Sequence, residues 1–109
     1  MTIPQEIANA AARPGMYFRD HYYDCFVAFL CGYDAALDHR LLAGFREWLI
    51  LTQKLDPSEV SGMAWERLLL RIHYPELSRN PSAWPLRTDE HEAAVAKAFH
   101  RLIDFHRSV

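Results

Sequence analysis

Apolar residues recur along this chain at helical spacing, and a strict alternation of apolar and polar positions occurs nowhere. The pattern predicts five helices. The first runs from about Ile3 to Ala12, with Thr2 as N-cap and Pro4 tolerated in the first turn. It stops at Arg13-Pro14, because a residue before proline avoids the helical region. The second spans about Tyr22 to Leu37. Its Phe26, Phe29, Leu30, Tyr33 and Leu37 form one stripe, and Asp24, Ala28, Cys31, Ala35 and Asp38 lie opposite, with Asp34 bordering them. The third spans about Gly44 to Leu55, with Phe45, Trp48, Leu49, Thr52 and Leu55 at core spacing, and Asp56-Pro57-Ser58 ends it. The fourth runs from near Ser61 to His73 on a face of Trp65, Leu68, Leu69 and Ile72.

Pro75, Pro81 and Pro85 make the next stretch a linker, with Trp84 expected to pin it to the body. The fifth helix starts at Thr88, places Asp89, Glu90 and Glu92 at its positive end, and aligns Val95, Phe99, Leu102, Ile103 and His106. The expectation is an all-α fold, a single-domain bundle over residues 1–109 with short connections. Phe29, Trp48 and Leu69 are expected in its core. Pro14-Gly15 reads as a chain reversal with Gly15 at positive φ, and Met16, Tyr17 and Phe18 as its anchor on that core.

Composition narrows the function classes. Half of the 109 residues are hydrophobic, too many for a disordered chain. No apolar run approaches the roughly 18 residues of a membrane span. Met1 to Glu6 lack the basic and apolar regions of a secretory leader, so the cytoplasm is the expected location. Cys25 and Cys31 lie too far apart along one helix to pair, which fits reduced thiols there. A net charge of −2 argues against nucleic acid as partner. Residues 1–60 carry five basic and eight acidic side chains, and residues 61–109 seven and six.

A search for chemistry returns little. Six histidines invite a metal, yet the chain has no His-Glu-x-x-His and no Cys-x-x-Cys, and the His100/Asp104 pair supplies only two ligands of the three or four a zinc site needs. Neither cysteine has a histidine within one turn on its own helix to serve as base. Glu47 beside Trp48 and Glu66 beside Trp65 are ordinary flanks of amphipathic helices. Arg67, Arg71, Arg79 and Arg87 are diluted by Glu66 and Glu76. No catalytic residue, cofactor or metal is expected, and the chain is not read as an enzyme.

What remains is a surface for another protein. Asp20, Asp24, Asp34 and Asp38 gather along and beside the second helix with only Arg19 against them. Ala28, Cys31 and Ala35 on the same helix let a partner approach closely. Such a helix suits a basic cleft, which would gain fast steering and charge-assisted hydrogen bonds. Leu70, off the main stripe of its helix, is a further contact candidate, unless the proline-rich linker buries it.

One resemblance bears on the partner. Arg13-Pro14-Gly15-Met16-Tyr17-Phe18, then Ala28-Phe29-Leu30, Gly32-Tyr33, and Leu41-Leu42 with Gly44-Phe45, Glu47-Trp48-Leu49 resemble, in order and spacing, small helical bacterial immunity proteins of polymorphic toxin systems. The likeness covers roughly the first half of the chain, with a weaker echo at Trp65 to Leu70. It implies a cytoplasmic antitoxin that binds a cognate toxin, such as a type VI secretion effector, and occludes its active site, with a homodimer possible when free. The last linker and helix match nothing in that pattern. A similar Arg-Pro-Gly-Met-Tyr segment occurs in the ATPase region of DNA gyrase B. This chain lacks the acidic and Asn-bearing helix that enzyme needs, and its four glycines are isolated. The rival readings are a helical regulatory or interaction domain and a small enzyme reversing a toxin's modification.

Overall fold

A computed structural model describes residues 3–17, 22–75 and 88–108. Helix α1 spans Gln5–Ala12, and a 3₁₀ turn follows at Pro14–Met16. Helices α2 (Tyr23–Ala36), α3 (Phe45–Thr52), α4 (Trp65–His73) and α5 (Thr88–Ser108) complete the order. No strand occurs among the described residues, and the fold is all-α. Contacts divide the chain into two units. One holds the residues up to Leu41 together with α5, and the other runs from Leu42 through α4.

In the first unit α2 packs on α5. Tyr23, Phe26 and Leu30 of α2 and Val95, Phe99 and Leu102 of α5 are buried, as are Ile7 and Ala10 of α1. The rings of Phe26 and Phe99 meet edge to face at 4.9 Å, an arrangement that adds about 0.5–1.5 kcal/mol to their burial. Tyr22 supplies no side-chain cap to α2. The cap comes from α5, where buried His91 accepts the Tyr23 N–H on Nδ1 at 2.9 Å. The Tyr22 ring stands nearly perpendicular to the same imidazole, with centroids 5.2 Å apart.

In the second unit α3 packs on α4. Phe45, Leu49, Val60, Leu68 and Leu69 are fully or nearly fully buried, and Phe45 lies between Trp48 and Trp65 at centroid distances of 6.1 and 6.0 Å. Leu69 is in the core as expected. Trp48 and, in the first unit, Phe29 are only half-buried.

Two arginines fix the connection from α3 to α4. Arg46 donates from Nε to the Met63 carbonyl at 2.6 Å and from Nη2 to the Val60 carbonyl at 3.1 Å. Arg71 reaches the Glu59 carbonyl at 3.3 Å and its carboxylate at 3.0 Å. Between them Asp56 Oδ1 accepts the Ser58 N–H and hydroxyl, which stops the chain from resuming a helix.

Helices α2 and α3 end alike. After α2, the Asp38 N–H bonds Ala35 O and the His39 N–H bonds Asp34 O; after α3, Lys54 bonds Leu51 O and Leu55 bonds Ile50 O. Both are Schellman endings, whose left-handed position usually holds glycine. Here it holds Asp38 (φ 54°) and Lys54 (φ 53°). The left-handed Lys54 is why α3 stops at Thr52 instead of reaching Leu55. Helix α4 starts at Trp65, later than expected, because Gly62 takes φ 80°, which a right-handed helix cannot contain. Gly15 does the opposite of what its sequence suggests. It lies inside the 3₁₀ turn and not at positive φ.

Candidate partner surface

The residues singled out by sequence fall into distinct environments. Asp24 and Asp38 are exposed. Asp20, like Phe18, Trp84, Arg79 and Arg87, lies outside the described residues. Asp34 corrects the expectation. It is buried on the same stripe as Tyr23, Phe26 and Leu30, at i, i+3, i+7 and i+11, and its carboxylate is spent within the fold. Oδ1 accepts the Leu41 N–H at 3.1 Å, and Oδ2 lies 3.1 Å from His39 Nδ1. A carboxylate so placed organises the turn after α2 and is not offered to a partner. Leu70 corrects a second expectation, being 6% exposed. Asp38 is exposed, but its backbone serves the Schellman ending. Among the described residues the acidic face thus reduces to Asp24, with Asp38 beyond the helix end.

What α2 does present is a nearly uncharged outer face. Asp24, Cys25, Ala28, Cys31, Gly32, Ala35 and Ala36 are all exposed, and only the first carries charge. Both cysteines are exposed, and neither is in a disulfide. A helix that is apolar around most of its circumference is normally covered on all sides, yet here one side is open.

Aromatic residues extend this face. The ring of Tyr17 meets Phe29 edge-on at 5.7 Å, and Phe29 lies 6.0 Å from Tyr33. Met16 was expected to anchor the turn in the core, but it is 75% exposed, and Tyr17 and Tyr22 are 38% and 41% exposed. The 3₁₀ turn explains the change. Bonds from Met16 N–H to Arg13 O and from Tyr17 N–H to Pro14 O close the turn on itself, so its side chains project outward. The Tyr17 hydroxyl donates to Glu6 Oε2 at 3.3 Å. Partial desolvation, then the Glu6 charge and this hydrogen bond, hold that phenol above its ordinary pKa.

Between α1 and the turn lies a hollow of about 400 Å³ lined by Asn9, Ala12, Arg13, Met16 and Tyr17. The sequence flagged this segment but gave no sign that it borders a hollow, since that depends on how α1 meets the turn. Exposed Met and Tyr are of the residue types enriched at protein contact surfaces. Elsewhere, His100 and Asp104 approach to 3.4 Å, and among the described residues no three His, Cys, Asp or Glu side chains gather as a metal site would need. No helix among those residues is long and apolar enough to cross a membrane. Comparison with protein-family models, curated proteins and solved structures finds no match.

Proposed function

We propose that this chain is an immunity protein that binds a cognate bacterial toxin in the cytoplasm and neutralises it by covering its active site. The observation that carries the reading is the open side of α2, where seven exposed residues include one charge and exposed Met16, Tyr17 and Tyr22 stand nearby. Tyrosine is prominent among the residues that dominate binding energy, and side chains as small as Ala28 and Ala35 leave room for a partner's backbone. The resemblance of Arg13 to Phe18 and of the α2 and α3 segments to small immunity proteins names the kind of partner. With Asp34 inside the fold, apolar contact leads and Asp24 contributes at the rim.

The test is protection. Cells expressing the toxin encoded beside this gene should survive with the parent chain and die with Ala28→Arg, while circular dichroism shows that the variant keeps its helices. Survival with Ala28→Arg would move the contact off α2, and the absence of any neighbouring toxin gene would end the immunity reading.

A further inference from the structure

The hollow between α1 and the 3₁₀ turn is built before any ligand arrives. One wall is helix, through Asn9 and Ala12, and the other is a turn closed by its own backbone bonds. The Tyr17 ring is held from two directions, by Glu6 at its hydroxyl and by an edge-type contact with the Phe29 ring. A preformed wall spares a ligand the cost of ordering it. Among the described residues that line it, Asn9, Ala12, Arg13, Met16 and Tyr17, Arg13 carries the charge. Its backbone N–H bonds Asn9 O, and it lines the hollow with an exposed side chain. Around that cation stand an aromatic ring, an open thioether and an amide.

We infer that this hollow receives an acidic residue and its apolar neighbour from the partner protein, the carboxylate pairing with the Arg13 guanidinium and the apolar side chain lying on Met16 and Tyr17. A guanidinium takes a carboxylate through two parallel hydrogen bonds, a geometry an ammonium cannot copy. The thioether of Met16 adapts to apolar groups of varied shape. The contact is opposite in sign to the one the aspartates of α2 suggested. It rests on the partner-surface reading above for the identity of the partner, but its own chemistry is tested without a toxin.

Two acetylated octapeptides identical except for one central residue, Glu-Leu in one and Lys-Leu in the other, are titrated into the isotopically labelled full chain. The Glu peptide should move the amide signals of Asn9, Ala12, Arg13, Met16 and Tyr17, and inorganic phosphate alone should not. Arg13→Gln, at an exposed position, should weaken the Glu peptide about tenfold, the scale of one charged hydrogen bond. Met16→Glu should weaken it as well. Equal binding of the Lys peptide, unchanged affinity in Arg13→Gln, or the same shifts from phosphate would overturn the inference. Each of those results leaves the protection assay untouched, so the hollow and the immunity reading fail separately.

Discussion

Asp34 and His106 hold opposite ends of the same residue. Leu41 donates its N–H to Asp34 Oδ1 at 3.1 Å, and its carbonyl lies 2.8 Å from His106 Nε2. All three residues are buried. With Nε2–H donating, the imidazole carries its lone pair on Nδ1, which is buried without a hydrogen-bond partner. Leu41 is also the last residue of the first unit before the chain enters the second. The pair therefore fixes the point after α2 at which the chain leaves the first unit.

Removing either holder should be costly. Asp34→Ala strands a buried N–H, and a loss of about 1–3 kcal/mol is expected in urea unfolding. Asp34→Asn keeps an oxygen for Leu41 and should lose less. An Asp34→Ala variant as stable as the parent would show that the bond contributes nothing. His106→Leu, which leaves the Leu41 carbonyl unmet, should cost a similar amount.

The two Schellman endings offer stabilising changes. A side chain in the left-handed region costs roughly 1–2 kcal/mol, part of which glycine returns as unfolded-state freedom. Asp38→Gly and Lys54→Gly should each raise stability by about 0.5–1 kcal/mol, read from the denaturant midpoint. Gly32 and Gly62 give the matching contrast. An added methyl would meet nothing within 4 Å at either, and Gly62 has φ 80°. Gly32→Ala inside α2 should therefore stabilise by roughly 0.5–1 kcal/mol, and Gly62→Ala should destabilise by about 1–2 kcal/mol.

His91 is the distant cap of α2. His91→Ala should cost about 0.5–2 kcal/mol, the range for losing an N-cap acceptor. Amide exchange should then quicken first at Tyr23 and its neighbours. Unchanged protection there would mean that the bond to His91 does not hold the helix start.

Tyr17 links pH to the turn. Its phenol is raised above the usual value of 10.0, with desolvation first and Glu6 next among the causes. A raised pKa in the folded state means that its contribution is complete below pH 10 and is lost as pH climbs through the folded value. Glu6→Gln should lower the Tyr17 titration midpoint, as followed by tyrosinate absorbance in variants that retain Tyr17. A midpoint indifferent to Glu6 would separate the two residues.

The helices were legible because their buried positions repeat at 3.6 residues, as with Phe26 and Leu30, or Val95, Phe99 and Leu102. Asp34 misleads because its charge points outward while its place on that same repeat, which Tyr23 also joins, points inward. His91 left no local signal, since the N–H it caps belongs to a helix far away in sequence. Lys54 and Asp38 hide their turns, because the residue that usually marks a left-handed ending is glycine. Gly15 erred the other way, for Pro-Gly also fits a 3₁₀ turn. Met16 and Tyr17 stand out by their pattern, but their exposure follows from that turn.

The bonds from Arg46 and Arg71 to the connection between α3 and α4 have a consequence for mutation. Three of these four bonds end on main-chain carbonyls, those of Val60, Met63 and Glu59, which every amino acid provides. The path of the connection is thus guarded by residues outside it, and exposed positions such as Ser61 are left to drift. Substitutions should accumulate there without moving the backbone, while Arg46→Lys, with one ammonium for two carbonyls, should not be tolerated in exchange.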